Sequence, residues 1–150
     1  MKRTVLIGLL LAALVVMPAM AQNMNSPAPQ FISFTFGVPV GYDLAAETST
    51  AATSFGFNFV LADNMSVGLY NLDNTFLLRL NFAFAGTMGA TIGYGESNTL
   101  NLGAFVNLFQ QRSPRGFAYG MNFRLDYLVD HTADIAKGKI FFTLGMNIGI

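Results

Sequence analysis

Charged residues are scarce in this sequence. Four of them lie on the same face of an alternating pattern of apolar and non-apolar residues. Only 11% of the 150 residues are Asp, Glu, Lys or Arg, against about 25% in ordinary soluble domains. Arg79, Arg124, Asp126 and Lys139 alternate with apolar neighbours. They could line a narrow polar path, or they could pair as a salt-bridged plug, because an unpaired buried charge is costly. We favour the plug, with Asp126 paired to Arg79 or Arg124.

Aromatic and aliphatic residues on the same face of the alternating pattern as those charges form a second candidate site. The set comprises Tyr70, Leu77, Phe105, Phe109, Leu128 and Phe141. Four of them, Tyr70, Leu77, Phe105 and Phe141, could line a pocket for a small hydrophobic molecule. The alternative is that all six fill a tapering core, and this is the interpretation we favour.

His131 is the only histidine, and it lies beside Asp130 and near Asp134. An enzyme built on this histidine would need a nucleophile close by, and the nearby position 133 is Ala133. Two carboxylates and one histidine on a loop are weak grounds for a metal site. We therefore interpret His131 as a solvated loop residue, and we predict no catalytic, cofactor or metal site.

Residues 31–150 alternate with a period of two, which is the pattern of β-strands. One face is almost entirely apolar, and the other is rich in Gly, Ser, Thr and Asn with only the four charges named above. The eight predicted strands are 31–40, 53–61, 65–72, 75–84, 88–95, 99–109, 117–129 and 139–150. The strands at 65–72 and 88–95 are short for a membrane strand, which needs about 9–11 residues.

The composition of the second face indicates where this sheet lies. A wall exposed to water should be dense in Lys, Glu and Asp, and neither face is. An apolar outside around a small, polar inside is typical of transmembrane barrels. We predict an all-β fold, an eight-stranded antiparallel up-and-down transmembrane β-barrel. Its periplasmic turns are 62–64, 85–87 and 110–116, and its outer loops are 41–52, 73–74, 96–98 and 130–138.

The first 21 residues have the features of a cleavable signal peptide. Lys2 and Arg3 precede an apolar run at 5–17, and Ala19-Met20-Ala21 gives the small-x-small pattern of a cleavage site. Residues 22–30 are then a flexible N-terminal segment, and 31–150 are the barrel. Without Lys2 and Arg3, six basic residues face eight acidic ones. This balance gives no reason to expect nucleic acid as a partner.

Residues 31–150 resemble the small eight-stranded outer-membrane proteins of the OmpX/Ail type and the barrel domain of OmpA-like proteins. Residues 139–150 look like the C-terminal strand that such proteins present to the barrel assembly machinery. The resemblance implies residence in the bacterial cell outer membrane. The expected partners are outer-membrane lipid and lipid-like molecules, the assembly machinery during insertion, and an unidentified host or surface partner at the outer loops.

These observations leave three functions open. The first is a structural or surface-interaction protein with a side-chain-filled lumen and no enzymatic activity. The second is a porin-like narrow pore, or a conduit for small hydrophobic molecules as in barrels of the OmpW type. The third is a soluble, lipocalin-like carrier of an apolar ligand. Single-channel conductance separates the first two, and the behaviour of the chain in buffer without detergent separates both from the third.

Overall fold

The computed structural model describes residues 32–62, 64–84, 87–113, 117–130 and 137–150. Nearly all of them lie in strands. The strands are β1 (Ile32–Asp43), β2 (Thr48–Ala51), β3 (Ser54–Ala62), β4 (Met65–Leu72), β5 (Thr75–Ala83), β6 (Met88–Gly95), β7 (Thr99–Arg112), β8 (Ala118–Asp130) and β9 (Lys139–Gly149), with a 3-10 turn at Glu96–Asn98. The predictions made for residues 1–30, Phe31, His131 and Asp134 concern positions outside the described residues.

The sheet closes on itself. From β3 to β9 each strand pairs antiparallel with the next, and β9 pairs back with β1. This seam runs from Ser33 opposite Gly149 to Asp43 opposite Lys139. Since β2 and β3 both pair with the same side of β1, at its two ends, they act as two segments of one barrel strand. The predicted all-β, eight-stranded antiparallel barrel is confirmed.

The connections define the two ends of the barrel. The loop end carries the turns after β1, after β4 and after β6, whereas the turn end carries the connections β3–β4, β5–β6 and β7–β8. At the loop end, Asp73 and Asn74 have φ of 52° and 60°. Positive φ at both central residues is the geometry of the tight I′ hairpin turn, which matches the strand twist.

The predicted outer loop at 41–52 is wrong. β1 continues to Asp43, and β2 returns beside it, which leaves only residues 44–47 as a turn. The Asp43 carboxylate accepts hydrogen bonds from the backbone N–H groups of Ala45 and Ala46, both at 2.9 Å. An aspartate that binds backbone groups two and three residues ahead stabilises a turn locally, so the chain can reverse direction directly after Asp43, which is still paired with Lys139 of β9.

The bounds of the other strands agree with the sequence to different degrees. The short strands predicted at 65–72 and 88–95 have those bounds in the structure, so one side of the barrel is short. The strand predicted at 99–109 is longer, since β7 runs to Arg112. Its partner β8 has 13 residues, and the wall is therefore tallest at β7 and β8.

The register determines the width of the barrel. Crossing from strand to strand through paired residues, the path that leaves β1 at position 33 returns to it at position 43, a shift of ten residues. The path is Ser33, Asn58, Gly68, Arg79, Gly93, Asn101, Leu128, Lys139 and Asp43. With a rise of about 3.3 Å and a strand spacing of about 4.8 Å, this shift tilts the strands by about 40°. Eight strands at this tilt leave an interior that side chains fill.

The two faces of the wall are opposite to those of a soluble barrel. In the described strands no outward position holds Asp, Glu, Lys or Arg. The exposed large apolar residues are all outward: Phe34, Phe36, Val38, Val40, Phe55, Phe59, Leu61, Leu69, Phe76, Leu78, Phe84, Ile92, Tyr94, Leu102, Phe109, Phe117, Tyr119, Leu144, Met146, Ile148 and Ile150. The apolar face is less exposed on the side of β7 to β9, where Val106, Leu125 and Ile140 point outward but are buried.

Phe109 was expected in the lumen, and this prediction is wrong. Asn107 pairs with Asn122, but Phe109 pairs with Met121, so one extra residue is inserted between them. A bulge of this kind reverses the alternation of side chains from that point on. Phe109 therefore points outward and is 44% exposed.

Candidate functional site in the barrel lumen

Three of the inward charges meet in the middle of the lumen. Arg79 lies on β5, and Arg124 and Asp126 lie on β8. Arg79 Nη2 donates a hydrogen bond to Asp126 Oδ1 at 3.0 Å, and Arg124 Nε lies 3.6 Å from Asp126 Oδ2. The exposed fractions of Arg79 and Asp126 are 1% and 0%. The structure thus places one carboxylate between two guanidinium groups, in a region closed to solvent.

Lys139 does not belong to this group, which corrects the predicted four-charge cluster. It is the first residue of β9, at the loop end, where its Nζ lies 2.7 Å from Asp73 Oδ2. Both side chains of this pair are partly exposed, at 42% and 20%. Alternation in the sequence gives the face on which a charge lies, but the height along the barrel axis depends on the register, which the sequence pattern does not contain.

Small and flat side chains make room for the charged groups. The Tyr70 ring lies against Arg79, with 3.7 Å from the guanidinium carbon to the ring centroid. On β7, Gly103 faces Asp126, and a Cβ added there would lie 2.5 Å from Asp126 Oδ1 and 2.9 Å from a backbone oxygen. On β6, a Cβ at Gly93 would lie 2.9 Å from Arg79 Cγ. Inward glycines therefore let the charged side chains lie flat against the wall.

Hydroxyl and amide groups continue the network from Arg124 toward the turn end. Arg124 Nη2 donates to Thr91 Oγ1 at 2.9 Å, and this hydroxyl donates to Asn81 Oδ1 at 2.8 Å. The Asn81 amide in turn donates to Asn58 Oδ1 at 3.1 Å and to Ser66 Oγ at 3.2 Å. Side chains from five different strands are thus connected through one chain of hydrogen bonds.

A second amide group lies on the other side of the lumen. Asn147 Oδ1 accepts hydrogen bonds from Thr35 Oγ1 at 2.9 Å and from Asn122 Nδ2 at 2.8 Å, while Asn147 Nδ2 donates to Asn107 Oδ1 at 3.4 Å. Neither network is predicted by the alternation of the sequence. The one sequence feature that accompanies both networks is the recurrence of asparagine at inward positions of several strands.

An apolar layer fills the lumen toward the loop end. Its buried members are Tyr70, Leu72, Leu77, Leu128 and Phe141, and Ala52 packs against them. Leu72 immediately precedes the tight turn at Asp73, and Leu128 lies near the end of β8. We call these five buried residues the apolar plug. Three of the four predicted pocket residues belong to it.

Phe105, the fourth predicted pocket residue, lies elsewhere. It is partly exposed, and its ring centroid is 5.5 Å from the guanidinium carbon of Arg124. Its ring also occupies the space beside Gly89, where an added Cβ would lie 2.6 Å from the ring. The predicted set of Tyr70, Leu77, Phe105 and Phe141 is therefore split between two levels of the lumen.

Comparison with known proteins adds no assignment. No family model matches the chain, and no curated protein and no solved structure matches it. Within the described ranges, no group of His, Cys, Asp or Glu side chains could hold a metal ion. No helix among the described residues is long and apolar enough to cross a membrane. The kinship with OmpX/Ail-like or OmpA-like proteins accordingly stays a prediction.

The buried charges give a direct prediction about stability. Asp126→Ala leaves two buried guanidinium groups without their carboxylate, and breaking a buried pair in this way costs about 3–5 kcal/mol. Lys139→Met breaks only the partly exposed pair at the loop end and should cost less than about 1 kcal/mol. Urea unfolding of the two refolded variants measures both values. Equal effects of the two substitutions would contradict a structural role for Asp126.

Proposed function

We propose that this chain is an integral outer-membrane β-barrel protein with a filled lumen and a structural or surface-interaction role, and that it has no enzymatic activity. The observation that carries the proposal is the inverted wall, with apolar side chains exposed and charged and amide side chains buried. The proposed location is the bacterial outer membrane, with its lipids as the main contact of the wall.

The apolar wall supports contact with lipid. Burial of one large aliphatic or aromatic side chain is worth about 1.5–3 kcal/mol, and the exposed apolar residues extend around all the barrel strands. In water such a surface would favour aggregation, since soluble monomers expose contiguous apolar patches of only a few hundred Å². A closed barrel is also one of two backbone arrangements that satisfy all their hydrogen bonds in hydrocarbon.

The height of the wall and the positions of the charges support the same proposal. The strands β4 and β6 have 8 residues each, which at a tilt of about 40° span about 20 Å along the axis. The apolar band of an outer-membrane barrel is about 25 Å tall. Among the described residues, Asp43, Glu47 and Glu96 lie at the loop end, where a barrel in a membrane would meet water.

The contents of the lumen favour a structural role over transport or carriage. The apolar plug closes the loop end. Beneath it, the lumen is filled by the charge group, which comprises Arg79, Arg124 and Asp126, and by the two amide networks. A soluble carrier of an apolar ligand needs the opposite distribution, with an apolar cavity inside a polar wall. The surface-interaction role would fall to the turns of the loop end, such as the β1–β2 hairpin, whose β2 residues lie beyond Ser54, where the pairing of β3 with β4 ends.

The last strand supports the proposed contact with the assembly machinery. β9 forms the closing seam, and its outward residues Leu144, Met146 and Ile148 are apolar and exposed. Before the seam closes, the unpaired edge of such a strand can be recognised through its backbone and its alternating side chains.

A charge placed on the wall tests the membrane proposal. Leu80 points outward from the middle of β5, between Val67 and Ile92. Leu80→Arg should cost about 2–4 kcal/mol in lipid vesicles, because arginine is costly near the bilayer midplane. Ser49→Arg is the matched control, since Ser49 is exposed on β2 at the loop end, and it should cost about 0–1 kcal/mol.

Urea unfolding of the two variants in vesicles gives both free energies. If Leu80→Arg were as mild as Ser49→Arg, the wall would not face hydrocarbon.

Conductance tests the filled lumen separately. We expect refolded protein in a planar lipid bilayer to show no discrete openings, because the apolar plug and the charge group leave no continuous aqueous path. Bilayers treated with protein-free detergent provide the baseline. Reproducible single-channel steps above it would favour the porin-like pore instead.

A further inference from the structure

The charges inside the lumen do not balance. Arg79 and Arg124 both carry a permanent positive charge, because a guanidinium group is not deprotonated in proteins. Among the residues that the structure describes, Asp126 is the only acidic one that contacts them. The acidic residues Asp43 and Asp73 lie at the loop end, beyond the apolar plug. The described part of the lumen therefore holds one excess positive charge in a region shielded from solvent.

Several donors of these two arginines also lack acceptors. Arg79 Nε and Nη1 are buried without a hydrogen-bond partner, and so is Arg124 Nε. A shorter contact between Arg124 Nε and Asp126 Oδ2, now 3.6 Å, would satisfy only that pair. The Tyr70 hydroxyl and Asn101 Oδ1 are also buried without a partner, and each could accept one N–H group, but neither carries a charge, so the excess charge would remain.

The Tyr70 ring offers only a partial compensation. It lies 3.7 Å from the guanidinium carbon of Arg79 and 5.3 Å from that of Arg124. An aromatic face attracts a cation through its quadrupole but carries no net charge. Water could accept hydrogen bonds from the free N–H groups, but it would not neutralise the charge either.

We infer that the lumen holds a small monovalent inorganic anion, of the size and charge of chloride, bound by the free N–H groups of Arg79 with Arg124 as the second cation. One anion of charge −1 balances the one excess positive charge. A small ion is required because the interior of an eight-stranded barrel is filled by side chains. The anion would enter from the turn end, since the apolar plug closes the loop end.

This inference concerns the inside of the barrel and does not require the membrane. It can be tested in whichever medium keeps the protein folded, with or without detergent, so its failure is distinguishable from failure of the proposed function. The probe is chloride itself. The melting temperature is followed by circular dichroism while sodium chloride replaces sodium gluconate at constant ionic strength, because gluconate is too bulky for the lumen.

We expect a saturable rise in melting temperature with chloride. A ligand at ten times its dissociation constant should raise the melting temperature of a protein of this size by roughly 3–6 °C. Lys139→Met leaves the two lumen arginines in place and should show the same rise as the parent protein. No rise in either protein would overturn the inference.

Two substitutions identify the site. Arg124→Gln removes the excess charge and should abolish the dependence on chloride. Thr91→Asp places a carboxylate where Thr91 Oγ1 now lies, 2.9 Å from Arg124 Nη2, and should replace the anion. Its melting temperature in gluconate should therefore exceed that of the parent protein. A chloride response that persists in both folded variants would contradict a site at these arginines.

Crystals of the unsubstituted protein grown with bromide give a test that needs no variant. An anomalous peak within hydrogen-bonding distance of Arg79 Nε or Nη1 supports the inference. Water alone at that position, with no anomalous signal, overturns it.

Discussion

The closure of β1 onto β9 is the constraint on which the rest of this structure depends. Because the pairing path returns to β1 ten residues along from where it left, from Ser33 to Asp43, the tilt of the strands and the width of the lumen follow. A lumen of this width cannot remain empty and cannot take large side chains at every position. Glycines such as Gly103 therefore alternate with the few bulky or charged groups that the interior admits.

Within that lumen, burial determines the chemistry. Asp126 is tolerated because two guanidinium groups and the Asn101 amide surround it, and removing this carboxylate would leave buried charge uncompensated. The apolar plug above this group and the amide networks beneath it give the interior three levels with different polarity. Such an interior supports a filled barrel, and its buried charges meet at Arg79, Arg124 and Asp126.

The sequence predicted the features that depend on local alternation. The strands at 65–72 and 88–95 have their predicted bounds, and outside the irregular ends of β3 and β7 the predicted apolar face of the strands is the outward one. Features that depend on pairing could not be predicted in this way. The bulge that turns Phe109 outward inserts a residue into one strand only, and the height that separates Lys139 from the lumen charges and Phe105 from the apolar plug follows from the register. The strand β2 was missed because its four residues, Thr48–Ala51, contain no large apolar side chain.

The most direct test of the central claim is the surroundings of the outward side chains. The chain contains no cysteine, so single cysteines at Leu78, Leu80 and Phe82 can carry spin labels in protein reconstituted into vesicles, with Ser49 as the reference at the loop end. We predict that labels at the three β5 positions collide readily with oxygen, which concentrates in lipid, and rarely with a water-soluble nickel complex, while Ser49 shows the reverse. Ready access of the nickel complex to Leu80 would contradict the account, because the apolar wall would then face water.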